Sequence, residues 1–173
     1  TMLYDDFLIA EFLQKIEQLD WYDNTIFIIT ADHGLTVHRD ISNHPLNGHI
    51  PFIIFSELLD TNMIINKIVS QVDIFPTILD LMGKENELDR LYGISGLRDG
   101  PGFACRVTDK QLQWVDSSFI YNEFIGADKT DLYSYTNLRG DYQSSMNDTV
   151  NQTRQIFCRS YIQNAYARYK QLY

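Results

Sequence analysis

Long apolar runs are missing from this chain. No stretch approaches the roughly 20 residues that a bilayer-spanning helix needs, and the opening Thr1-Met-Leu-Tyr-Asp-Asp has neither the charged nor the apolar region of a signal peptide. The residues present therefore predict a soluble chain, in which membrane contact could come only through a segment upstream of Thr1. A helical pattern starts almost at once and no initiating methionine leads it, the expectation for a piece of a longer protein. Positive charge is scarce too: 14 Lys and Arg against 23 Asp and Glu give a formal charge of -9. That field repels polyanions and argues against nucleic acid or an anionic membrane as partner. Cysteine is limited to Cys105 and Cys158, with neither a Cys-x-x-Cys pair nor zinc-type spacing. Two ordinary buried thiols are the preferred reading over a disulfide. Internal repeats and low-complexity segments are absent.

What is present suits one globular domain with a real core, since 45% of residues are hydrophobic and 13% aromatic. Phe7, Leu8, Phe12, Leu13 and Ile16 recur at three- and four-residue spacing and predict a helix over Tyr4 to Leu19. Thr25-Ile-Phe-Ile-Ile-Thr30 is continuously apolar and β-branched, as in a strand buried on both faces of a parallel sheet. Pro51-Phe-Ile-Ile-Phe55 repeats the pattern, and Asn62 to Val72 reads as a helix. Val72 to Gly83 reads as a short packed helix that starts near Pro76, stops at Gly83 and sets Ile74, Phe75, Ile78 and Leu79 against the sheet. Alternation of this kind predicts an α/β layered fold. The glycine-rich stretch 84–102 predicts an irregular loop. Beyond it, the runs at 103–107, 111–115, 119–124 and 132–135 predict a small antiparallel sheet. A closing helix follows over 151–173, with Ile156, Phe157, Tyr161, Ala165, Tyr169 and Leu172 on one face. Tyr161, Tyr166 and Tyr169 are read as packing or surface residues, because aromatic richness alone does not make a glycan platform. The expected organisation is thus 1–83, the loop 84–102, and a C-terminal subdomain 103–173.

All four histidines, His33, His38, His44 and His49, fall in one window that opens at the end of the first strand. Loops at strand ends project side chains from a rigid scaffold and build ligand sites. Asp32-His33 presents a hard oxygen and an imidazole nitrogen to a divalent ion such as zinc or manganese, and Gly34 lets the backbone turn. Asp-His-Gly alone would be only a polar turn; the preceding strand and the three further histidines favour a metal or catalytic site. His49, next to the second strand, is the best placed of the three for a preorganised role. His44 follows, and for His38 a solvated turn accounts equally well.

Tyr22-Asp-Asn-Thr-Ile-Phe-Ile-Ile-Thr-Ala-Asp-His-Gly34, His49-Ile-Pro-Phe-Ile-Ile-Phe-Ser56 and Ser70-Gln-Val-Asp-Ile-Phe-Pro-Thr-Ile-Leu-Asp-Leu-Met-Gly83 together resemble the sulfatase branch of the alkaline phosphatase superfamily. Within it the chain looks most like the lipoteichoic acid synthase and phosphoglycerol transferase group, on the Ser-Gln-Val-Asp-Ile-x-Pro-Thr segment and the His-Ile-Pro. The resemblance covers Tyr4 to Gly83 well and Gly102 to Tyr173 in outline. It implies the C-terminal part of an alkaline-phosphatase-like α/β sheet layered with helices, followed by a small antiparallel sheet and a closing helix. It further implies that Asp32 and His33 are metal ligands, for Zn, Mn, Mg or Ca, and that His49, His44 and His38 are candidate substrate contacts.

In that family a Thr, Ser or Cys-derived nucleophile lies well before the Asp-His motif, so these residues alone are expected to be inactive. Neither Ala-Cys105-Arg-Val nor Phe-Cys158-Arg-Ser begins a Cys-x-Pro-x-Arg signature. The first functional reading is a fragment of a metal-dependent phosphoglycerol-type transferase working on the outer face of the membrane or in the periplasm. The second is a soluble sulfatase or phosphodiesterase, and the third a non-catalytic metal-binding module. A phosphate or sulfate ester, on a lipid head group or glycan, is the expected partner.

Overall fold

The structure is a computed structural model that describes residues 2–35, 44–84, 91–137 and 142–171. The chain is α/β, and its described residues form two compact units: residues 1–32 with 50–64, and residues 33–49 with 65–173. Residues 44–49 and 65–84 fall in the second unit with the C-terminal sheet.

In the first unit, helix α1 (Met2–Ile16) precedes strands β1 (Phe27–Thr30) and β2 (Phe52–Phe55). The strands pair antiparallel, Phe27 opposite Phe55 and Thr30 opposite Phe52, where the sequence predicts a parallel sheet. Phe27 stacks on Phe55 with ring centroids 4.8 Å apart, a cross-strand contact that fixes the register. The Ser56 hydroxyl adds a 2.6 Å bond to the Thr25 carbonyl. Neither strand is buried on both faces, since Ile28 and Ile53 are exposed. A continuous apolar run specifies strand propensity but not its partner's direction, which is why periodicity misled here. Among the described residues of α1 only Ile16 is buried, while Phe7, Leu8 and Phe12 are exposed.

The second unit is built on an antiparallel meander: β3 (Phe103–Val107), β4 (Gln111–Asp116), β5 (Phe119–Phe124), β6 (Thr130–Ser134) and the two-residue β7 (Gln143–Ser144), in that order. The four aromatic and β-branched runs fall where the sequence places them. Helix α3 (Asp148–Gln171) closes one face, with Asn147 capping it by accepting the Val150 N–H at 3.0 Å. Trp114, Tyr121, Leu132 and Cys158 form the core there, flanked by Phe103, Val150, Tyr161 and Ile162. Phe103 stacks on Trp114 at 4.2 Å.

The sheet-facing side of α3 is therefore Val150, Arg154, Cys158, Tyr161 and Ile162, whereas Ile156 points to solvent and Phe157 only skirts Trp114. Two ion pairs set this rotation. Arg154 meets Asp116 at 2.7 Å and Arg159 meets Glu123 at 2.5 Å, and the small Cys158 lets the helix approach the sheet. Cys105 and Cys158 remain thiols with sulfurs 3.7 Å apart; that contact and burial push the Cys158 thiol up. Asn151 donates a side-chain N–H to the Thr130 hydroxyl at 3.0 Å.

A second difference from expectation follows β2 in the chain. Residues 62–70 form no helix; a 3-10 turn at Gln71–Asp73 leads into helix α2 (Ile74–Leu81). Two glycines explain the irregular path. A side chain at Gly102 would sit 2.0 Å from the Ile68 carbonyl oxygen, and one at Gly93 would sit 2.1 Å from that of Val72, so tight backbone packing overrides local helix propensity. Gly83, with φ +67°, ends α2 as predicted. The helix buries Pro76 and Thr77, half-buries Ile74, Ile78 and Leu79, and leaves Phe75 exposed, so of the expected apolar face Phe75 alone points away.

Candidate metal and oxyanion site

Just beyond the end of β1, Asp32 and His33 stand consecutively on an exposed loop. The His33 ring places Nδ1 3.0 Å from the Gly34 carbonyl oxygen. A carbonyl only accepts, so Nδ1 carries the proton, which in the neutral ring leaves the lone pair on Nε2. This is the arrangement that orients an imidazole as a metal ligand. Gly34 then passes close to the 3-10 turn at Pro45–Gly48: a Cβ at position 34 would lie 2.6 Å from the Asn47 carbonyl oxygen and 3.1 Å from that of His49. Both contacts are to backbone, so relief requires moving the loop that bears His33. Gly34→Ala is expected to destabilise the chain by about 1–3 kcal/mol and to weaken metal binding about tenfold to a hundredfold. Thermal melts and metal titration of the two proteins check both numbers.

The remaining histidines separate clearly. His44 is 2% exposed; its Nδ1 accepts the Leu46 N–H at 3.1 Å, which caps the turn, and its ring meets Tyr142 edge-on at 4.8 Å. Its Nδ1 is thus engaged in holding the turn. His49 is exposed and closes the same turn through its N–H to the Leu46 carbonyl at 3.2 Å. The turn, rather than the strand named in the sequence reading, sets its position, because β2 begins only at Phe52. His38 lies outside the described residues.

Among the described residues, no three His, Cys, Asp or Glu side chains converge as a metal site. Asp32 and His33 fit a divalent ion as a partial set, by donor chemistry and by the fixed tautomer of His33.

Two further features escaped the sequence reading, the Asp73–Thr77 pair and Arg106. Asp73 is buried, and its carboxylate accepts the Ser70 N–H at 2.8 Å and the Ile94 N–H at 2.7 Å. One turn later the Thr77 hydroxyl donates to the Asp73 carbonyl at 2.6 Å and accepts the Gly96 N–H at 2.8 Å. The Ser-Gln-Val-Asp-Ile-Phe-Pro-Thr segment thus staples the 93–96 loop to α2. Its signal was available as a Ser-x-x-Asp capping spacing. The other is Arg106 on β3, whose guanidinium rests on Gly48; only the tertiary packing brings it there.

Residues 1–84, just under half of the chain, match the family model described as Sulfatase. That segment is similar in sequence to sulfatases. It is similar to Arylsulfatase K of the dog, 36% identical over 83 residues that make up 45% of this chain and 16% of that protein. The cattle protein of the same name is 34% identical over 83 residues, 45% of this chain and 15% of that protein. The human one is 31% identical over 83 residues, 45% of this chain and 16% of that protein. The chain thus spans about a sixth of the sulfatases it matches. In fold it is similar to a protein in the alkaline phosphatase superfamily from Vibrio parahaemolyticus, with a TM-score of 0.72 at 21% identity over 94% of this chain and 41% of that one. The shared fold therefore extends past the sulfatase-matching segment into the meander and closing helix.

Proposed function

We propose that this chain is part of a sulfate-ester hydrolase and supplies two of its metal ligands, Asp32 and His33. The observation that carries the reading is the Asp-His pair with His33 held as the Nε2 ligand tautomer, inside a segment that matches the sulfatase family. A divalent ion bound there would polarise the ester oxygen and lower the pKa of a nucleophile. Asp32 would contribute its carboxylate oxygen and His33 its Nε2. His49, exposed beside the turn, would hydrogen-bond the transferring group or protonate the leaving oxygen, while His44 holds that turn in place. The nucleophile would come from sequence outside these residues. The short span relative to the curated sulfatases and the exposed apolar residues of α1, β1 and β2 support a longer parent enzyme. Such an enzyme would act on the extracytoplasmic side of a membrane.

Phosphoglycerol transfer is the second reading, favoured by His49-Ile-Pro and by the Ser70 to Thr77 segment. That segment already has a full structural explanation in the bonds of Asp73 and Thr77, so it weighs little between the two chemistries. Similarity to three mammalian proteins named arylsulfatase favours the sulfate ester.

The deciding experiment supplies the full-length protein with divalent metal and either 4-nitrophenyl sulfate or a phosphoglycerol-bearing lipid. Release of nitrophenol with no glycerol-phosphate transfer is expected. The opposite pattern would establish the transferase, and metal uptake with turnover of neither would leave a binding module.

A further inference from the structure

The face of the meander away from α3 carries a row of polar side chains. Arg106 on β3 is registered opposite Gln113 on β4, Gln113 opposite Asn122 on β5, and Asn122 opposite Asp131 on β6. Paired residues in antiparallel strands project to the same side, so the four form one line across the sheet. Its middle is closed: Gln113 and Asn122 are buried and joined by a 2.9 Å amide bond. Its far end is neutralised, with Asp131 lying 3.7 Å from Lys129. The near end differs. Arg106 is half-buried, its Nε is sealed from solvent with no hydrogen-bond partner, and among the described residues no carboxylate pairs with it.

A partly desolvated guanidinium without a counter-charge is costly and calls for an anionic partner. Its position identifies which partner. Nη1 would be 2.6 Å and Cζ 3.7 Å from a Cβ at Gly48, so the Nη1 end of the fork abuts the turn whose next residue is His49. The backbone of the same turn receives Gly34, the residue after His33. We infer that Arg106 is an oxyanion-recognition residue, which binds a sulfate group at the Pro45–Gly48 turn through its planar N–H fork. Glycine at position 48 then serves a purpose, since a side chain there would displace the fork. Guanidinium suits this task because its N–H groups match two oxygens of a tetrahedral anion at once. The inference takes from the sulfate-ester reading only the identity of the oxyanion.

Titration of the chain with inorganic sulfate in EDTA, followed by calorimetry and thermal melts, tests the inference without metal or turnover. Sulfate is expected to bind the wild type and raise its melting temperature. Arg106→Gln should bind about tenfold or more weakly, the loss of a charge-assisted pair, with Arg106→Lys intermediate. A merely structural arginine predicts instead that Arg106→Gln melts lower without sulfate and that sulfate leaves the wild-type melt unmoved. Equal sulfate binding by wild type and Arg106→Gln, or none by the wild type, overturns the assignment. Failure of the hydrolase reading would show separately, as absent ester turnover in the full-length enzyme while the sulfate titration stands. In that enzyme, comparing 4-nitrophenyl sulfate with an ester bearing a second sulfate identifies the bound group. A raised KM for both with Arg106→Gln marks the scissile sulfate, and a raised KM for the doubly sulfated ester alone marks the second.

Discussion

Asp32→Ala and His33→Ala are each expected to reduce the divalent-metal affinity of this chain by about a hundredfold or more. Groups that merely orient a metal ligand are worth about ten- to a hundredfold when removed, and a ligand itself should exceed the upper end of that range. His33 has the more specific geometry, since its Nδ1–H bond to the Gly34 carbonyl preorganises Nε2. Asp32→Asn is the informative companion, because it keeps an oxygen donor and removes the charge. It should fall between the wild type and Asp32→Ala. Calorimetric titration with zinc and with manganese gives the numbers, and circular dichroism on the same samples certifies the fold. Both positions are exposed, so the substitutions should leave stability nearly unchanged. Equal metal retention by the wild type and both alanine variants would remove the ligand assignment.

Asp73→Ala is expected to destabilise the chain by about 2–5 kcal/mol, the sum of two part-buried backbone N–H groups, of Ser70 and Ile94, left without acceptors. For a domain of this size that lowers Tm by roughly 5–15 °C, measurable by scanning calorimetry. Asp73→Asn keeps one acceptor and sets an amide N–H against a backbone N–H, so it should cost roughly half as much.

The charge of Asp73 adds a pH signature. Burial raises its carboxyl above the ordinary 3.8, against the opposing pull of the Ile94 and Ser70 N–H groups and of Lys67. The folded chain therefore holds this proton at higher pH than the unfolded chain. The resulting stabilisation is full below 3.8 and is lost as pH rises through the raised value. Wild type should lose stability relative to Asp73→Asn across that window, and a gap that widens with pH would show the carboxyl to be shifted the other way.

Much of the fold was legible because its signals are local. The meander strands announce themselves by aromatic and β-branched runs between polar turns, and Gly83 stops α2 through a positive φ that few other residues tolerate. Three elements resisted because their outcome depends on distant partners. The direction of β1 against β2 is decided by pairing. The rotation of α3 follows from Asp116 and Glu123 meeting Arg154 and Arg159, which apolar periodicity does not register. The stretch 62–70 has helix-compatible residues but packs its backbone against Gly102 and leads into the turn before α2.

At the candidate site the division is the same. By itself the sequence determined that Asp32 and His33 are neighbours at a strand end and that four imidazoles share one window, since both facts are covalent. Tertiary structure alone decided which imidazoles are available. His44 became a buried cap because its ring nitrogen lies within reach of the Leu46 N–H, and His49 stayed exposed on the turn it closes. The same packing brought Arg106, 57 positions beyond His49 in the chain, onto Gly48, because strand register and the absent side chain of a glycine set contacts that no spacing in the sequence encodes.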